Sequence, residues 1–318
     1  MLKSLVLCIE YIDERSKDHV LRLLSEDEIA KLPTNDIEKR KWTSQGQNQL
    51  RRFSDRAQYI QKELGPWASD YYIRESIKQI TLAMHGKQNR RLGWQDEQTI
   101  YILNSLGQMR ATEPTFDIEL QMDAMVSEKC AKILSFLKIK ASSTFRGIIF
   151  VDQRVTAFVL RHLLSVYPGT KSLFKCGTFV GISTNESKKM ELRDLLDPQD
   201  QQNTLKDFRE GRKNLIIATT ALEEGIDISA CNVVICFNKP PNLKSYVQRR
   251  GRARQEKSTI VLLSSRNSEA DIAADWEKME SEMIAEYMRD GRNLAEAEDV
   301  ISNEVGKNRR ILRVDSTG

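Results

Sequence analysis

The chain has 318 residues, 40% of them apolar and 30% charged, which is enough for about two packed domains under a heavily charged surface. Its 49 Lys and Arg against 45 Asp and Glu leave a net charge of only +4, so whole-chain charge does not argue for a polyanionic partner and only local clustering can. Five scattered cysteines without a CxxC pair argue against a disulfide framework and a zinc site, and no apolar run approaches the roughly 18 residues of a membrane span, so a cytoplasmic chain without membrane contact is expected.

Met1 to Ile9 is apolar, but Glu10, Asp13 and Glu14 follow with no small-residue cleavage site, which argues against a signal peptide. From residue 14 to residue 124 the pattern is helical. Ser25 followed by Glu28 forms a capping box, and Pro33 stops that helix. A longer helix is predicted from Glu38 to Leu64, closed by Gly65-Pro66, and another from near Ser69 past Ile80. β-branched runs are missing here.

The pattern changes near residue 125. Ser127 is placed to cap an amphipathic helix ending near Ile139. Short apolar runs then alternate with helices. Strands are predicted at Gly147–Asp152, at Cys176–Ile182, and in NLIIATT, NVVICF and STIVLLS. Helices are predicted from Arg154, ended by Pro168-Gly169, and over DQQNTLKDFREG, closed by Gly211. Continuous apolar strands separated by helices indicate a parallel sheet covered on both faces, an α/β lobe over residues 125–266. The tail, 267–318, is again helical, with Ile272, Trp276, Met279, Met283 and Tyr287 on one stripe that is expected to pack on the lobe.

Two segments carry the chemistry. YVQRRGRARQ, Tyr246 to Gln255, concentrates four arginines at the end of a helix. Arginine suits a nucleotide phosphate because its planar fork stays charged and binds oxygen pairs in bidentate fashion. ATTALEEGIDIS, Ala218 to Ser229, follows a strand, so Thr219 and Thr220 fall at the carboxyl edge of the sheet, where open α/β sheets bind ligands. FVDQR and FVGIST close two further strands, placing Gln153, Arg154, Gly181 and Ser183 near the same edge. For Gln153 and Arg154, phosphate contact, helix capping and surface charge all stay open. For Arg249 and Arg250, RNA contact and surface charge stay open.

These segments, in this order, resemble motifs IV, IVa, V and VI of superfamily 2 helicases, whose second RecA-like lobe lends arginine fingers to an ATP held on the first. The helical block ahead of such a lobe is similar to Dicer and RIG-I-like helicases, most of all fungal Dicer-like proteins of the second type; LRVDSTG at the end resembles the opening of their dimerisation domain. The resemblance implies roles residue by residue. Arg252 and Arg254 match the fingers in Q-x-x-G-R-x-R, and Gln248 matches the interlobe polar contact. Gly225 and Asp227 match the ATP ribose and interlobe positions. Thr219, Gln153, Arg154, Gly181 and Ser183 match the RNA side. The DEAD-box finger spacing would reach Gln255, so the chain departs from that branch.

No G-x-x-x-x-G-K-[ST] and no DExH box occurs; IDERS at Ile12 to Ser16 follows only a dozen residues. The expectation is therefore the second half of a helicase module, with residues 1–13 ending a first lobe. ATP and magnesium would be used only together with that lobe, and double-stranded RNA would be the partner. A stand-alone RNA-binding module and a RIG-I-like sensor are the alternatives.

Overall fold

The structure is a computed structural model, describing residues 45–85, 97–108, 122–181, 201–223, 226, 228, 231–254 and 258–263, with isolated helical positions at 278, 281, 282 and 285. It forms two compact units. The described part of the first comprises residues up to 130, and that of the second runs from 131.

In the first unit, α1 (Gln45–Leu64) and α2 (Pro66–His85) pair, and α3 (Glu97–Gly107) packs on both. Leu50, Phe53, Ala57, Ile60 and Leu64 recur every three or four residues along α1 and are wholly buried. Trp67, Tyr72, Ile73, Ile77 and Ile80 answer them from α2. The predicted start near Ser69 is corrected to Pro66. Proline suits the first helical position because its missing N–H has no helical acceptor there. Ser69 instead lies buried, its hydroxyl donating to the Ala57 carbonyl at 2.9 Å. Gly65 turns the chain with φ of +107°, and Ser127 caps the end of α1: its N–H donates to Leu64 O at 3.0 Å and its hydroxyl to Glu63 O at 2.6 Å. The same hydroxyl accepts from Cys130 N at 3.0 Å, so Ser127 is also the predicted N-cap of α5 (Glu128–Lys140), which follows the single turn α4 (Met122–Met125).

The second unit is a five-stranded parallel sheet: β1 (Gly147–Phe150), β2 (Cys176–Phe179), β3 (Leu215–Ala218), β4 (Val233–Cys236) and β5 (Thr259–Leu262), in the order β2-β3-β1-β4-β5. The predicted strands all form, each shortened to four residues. α6 (Arg154–Val166), α7 (Gln201–Arg209) and α8 (Leu243–Arg250) are the crossovers. Right-handed connections place α6 on one face and α7 and α8 on the other, because β1 to β2 runs one way across the sheet and the later crossovers run back. This is a RecA-like α/β lobe. β1, β3 and β4 are buried on both faces, which is why they read as unbroken apolar runs. Ile148, Phe150, Ile216, Ala218 and Val234 form one core with Phe208 of α7 and with Leu222, Ile228 and Cys231 from the segment joining β3 to β4. Gly211 ends α7 with φ of +77°, in the role predicted for it. The predicted tail stripe of Ile272, Trp276, Met279, Met283 and Tyr287 lies outside the described residues.

Candidate functional site

The carboxyl ends of β1, β2 and β3 bring four of the predicted residues to one edge. Thr219 leaves β3 with its N–H bonded to Phe179 O at 3.2 Å and opens a 3-10 turn, Thr220–Leu222. Gly181 lies beside that turn: a Cβ built there would stand 3.5 Å from Ala221 Cβ, so the approach is close but an alanine would fit. Gln153 holds the N-cap position of α6 with extended backbone but makes no side-chain cap, so the capping role left open for it is not used. Gln153 and Arg154 are both half-buried. Asn238, nearly buried, ties the β4 exit to this edge by accepting from Asp152 N at 3.1 Å.

The arginine run is sorted by its helix. Asn242, after Pro240 and Pro241, caps α8 by accepting from Ser245 N at 2.8 Å. Helical spacing then turns Arg249 inward, and the turn after α8 buries Arg252, while Arg250 is half-buried and Arg254 exposed. Arg249 is 0% exposed and Glu223 8%, so the surface and RNA readings of Arg249 are corrected. Its Nε donates to Glu223 Oε1 at 2.7 Å, and its guanidinium lies 5.0 Å from the Phe150 ring centre. Ser245 Oγ donates to the other carboxylate oxygen at 2.9 Å. Arg252 reaches the same segment through its backbone: Nη2 donates to Glu223 O at 2.7 Å, and Nη1 to Ile226 O. Cys231 N closes the circuit onto Arg252 O at 3.3 Å. Arg254 stays outside, with Nε on Gly251 O at 3.0 Å. Gln248 is half-buried on α8. Gly225, Asp227 and Ser183 lie outside the described residues.

Sequence reasoning missed Glu223, Ser245 and Asn238. Only a buried-acid reading of LEEGID against the arginine run could have found Glu223. Among the described residues, no group of His, Cys, Asp and Glu could hold a metal ion, and no helix is long and apolar enough to cross a membrane. Burial pushes the Cys130 and Cys231 thiols up to about 12 and Cys236 to about 11, against the pull of Arg249 on the last. Native alkylation near neutral pH is therefore expected to spare all three thiols and denatured alkylation to label them, read by peptide mass mapping. Labelling of Cys231 at a free-thiol rate in the native state would show the 223–231 segment open. The stability tied to these neutral thiols is whole below an unfolded value of about 8.5 and falls as pH rises toward the folded values.

Residues 128–257 match the helicase conserved C-terminal domain family. Dicer-like protein 2-1 of Aspergillus niger is 45% identical over 275 residues, covering 85% of this chain and 19% of that protein. Dicer-like protein 2 of Aspergillus oryzae is 40% identical over 272 residues, covering 85% of this chain and 20% of its own length. The chain thus spans about a fifth of the length of the curated relatives it matches. Among solved structures, the Hef helicase domain of Pyrococcus furiosus aligns with a TM-score of 0.40 at 18% identity, over 84% of this chain and 54% of that one.

Proposed function

We propose that this chain, which carries a helicase C-terminal domain similar to that of Dicer-like proteins 2, serves as the second lobe of an ATP-dependent RNA helicase module in a Dicer-like endoribonuclease, acting on double-stranded RNA in RNA silencing and antiviral defence. One observation supports it above the rest. The turn opened by Thr219 and the arginine-bearing turn after α8 are joined by Arg252, whose guanidinium spans the carbonyls of Glu223 and Ile226. In this reading Arg252 links an element that answers the nucleotide to one that answers RNA.

In this reading the arginines meet charge that spreads over the phosphoryl oxygens of ATP in the transition state. Arg254, exposed at the end of the run, is the finger with free reach, and Arg252 is a finger whose guanidinium first holds its own lobe. Gln248 is assigned to the partner lobe, and Gly225 and Asp227 to the ribose and the interlobe contact. A first RecA-like lobe supplies the phosphate cradle and the carboxylate for magnesium. Thr219, Gly181, Ser183, Gln153 and Arg154 are assigned to the RNA, whose shape is read through phosphates and 2′-hydroxyls.

The test joins a P-loop and DExH lobe to the chain and measures ATP turnover with and without double-stranded RNA. RNA-stimulated hydrolysis is expected. Double-stranded RNA binding that needs no nucleotide, together with no turnover in the joined protein, would favour a stand-alone binding module instead. The chain by itself is expected to bind double-stranded RNA weakly, losing about tenfold or more in affinity between roughly 50 and 200 mM salt, since phosphate contacts release counterions. Thr219→Val should weaken binding modestly. Salt-independent binding would show that the assigned edge does not face the phosphates.

A further inference from the structure

We infer that Glu223 is a positioning residue for ATP hydrolysis, latching α8 and its arginine turn to the turn that Thr219 opens. The inference rests on the reading of this chain as a helicase lobe. Its evidence is the network itself. Glu223 binds α8 at two points with its carboxylate, Ser245 at 2.9 Å and Arg249 at 2.7 Å, and binds the following turn through its carbonyl, Arg252 at 2.7 Å. One residue of the β3 exit therefore meets the start of the helix, its end, and the turn beyond.

A buried ion pair is a poor way to gain stability, because desolvating both charges offsets most of their attraction. This pair is also incompletely satisfied. Arg249 Nη2 has no hydrogen-bond acceptor among the described residues, and its Nη1 reaches Asn238 O only at 3.4 Å. An apolar contact over Phe150 would fill the space without that cost. What the pair supplies is direction: a carboxylate fixed by two donors on one helix allows a single rotation and register of α8. Arg254 lies only a turn beyond, held to α8 by its bond to Gly251 O. Its aim therefore inherits the placement of the helix.

The test uses the chain joined to a P-loop and DExH lobe. Glu223→Gln keeps the shape, an acceptor for Arg249 and a donor for Ser245, but removes the charge. It is expected to lower kcat about tenfold, as misplacing a reacting group does, with KM for ATP and RNA affinity within about twofold. In the double variant Glu223→Gln/Arg254→Ala, turnover should stay within about twofold of Arg254→Ala alone, since a finger already removed cannot be misaimed. A purely structural role would not produce that non-additivity. Wild-type kcat in Glu223→Gln, or losses that multiply in the double variant, would overturn the inference. If Glu223→Gln does not fold, Ser245→Ala, which removes one of the two side-chain ties, takes its place with an expected loss of about threefold and the same non-additivity; wild-type kcat or multiplying losses there would overturn it equally. If instead Arg254→Ala itself leaves turnover intact, the helicase-lobe reading fails and not the latch alone.

Discussion

Arg254→Ala, in the chain joined to a P-loop and DExH lobe, is expected to cut RNA-stimulated ATP turnover about a hundredfold or more, because a finger acts on charge that exists only in the transition state. The structure sharpens this expectation. Arg254 is exposed, and among the described residues its side chain bonds the neighbouring Gly251 carbonyl, so the melting temperature should hold. Arg252→Ala should also lose turnover, but for two reasons at once. On the proposed assignment it deletes a second finger, and it leaves the Glu223 and Ile226 carbonyls without this donor, so thermal stability should fall with it. Arg250→Ala is the control and should change neither property much. Turnover and melting temperature measured on the three variants separate the roles. If Arg254→Ala keeps full turnover while losing RNA affinity, the run is a nucleic-acid patch and the finger assignment fails.

The two arginine types could not be told apart in YVQRRGRARQ. Composition shows four guanidinium groups near a glycine; which of them turn inward depends on where α8 starts. That start is set by Asn242, whose capping bond to Ser245 N fixes the helical phase and points Arg249 toward Phe150 of the sheet, while Arg252, in the turn beyond α8, reaches the Glu223 and Ile226 carbonyls. The acid awaiting Arg249 is 26 positions upstream, at the β3 exit. Local patterns have no reach of that kind. The strands were legible because β1, β3 and β4 are buried on both faces and leave no alternation to blur the run. Helix ends were legible where a glycine takes positive φ, at Gly65 and Gly211, and less so where a proline opens a helix, as Pro66 does ahead of the predicted Ser69. Gly251 is the contrary case. Its place in the motif suggests a close approach of the backbone, and it sits at φ of −60°, an ordinary helical value, so its use is closeness and not conformation. A Cβ there would meet Val247 O at 3.3 Å.

Gly65→Ala is expected to be the most damaging single-methyl change in the helical unit, costing roughly 3 kcal/mol or more by thermal or denaturant unfolding. Two independent penalties add here. The first is conformational: φ of +107° lies where residues with a Cβ are strained, so any side chain must distort the turn between α1 and α2. The second is steric. A Cβ at Gly65 would stand 2.5 Å from Ser127 N and from the Val126 Cα and carbonyl carbon, which are backbone atoms and cannot rotate aside. Relieving that clash means pushing the 126–127 backbone off the end of α1. Doing so breaks the Ser127 N–H bond to Leu64 O and the hydroxyl bond to Glu63 O, and loosens the ion pair of Lys129 with Glu63 at 2.6 Å. The same Ser127 hydroxyl caps α5, so the damage passes to the next helix. Gly181→Ala is the comparison, since the Cβ there makes only an ordinary contact and the melting temperature should stay near that of the parent. Equal melting temperatures for Gly65→Ala and the parent would mean that the α1–α2 turn and its seat on Ser127 do not hold this unit together.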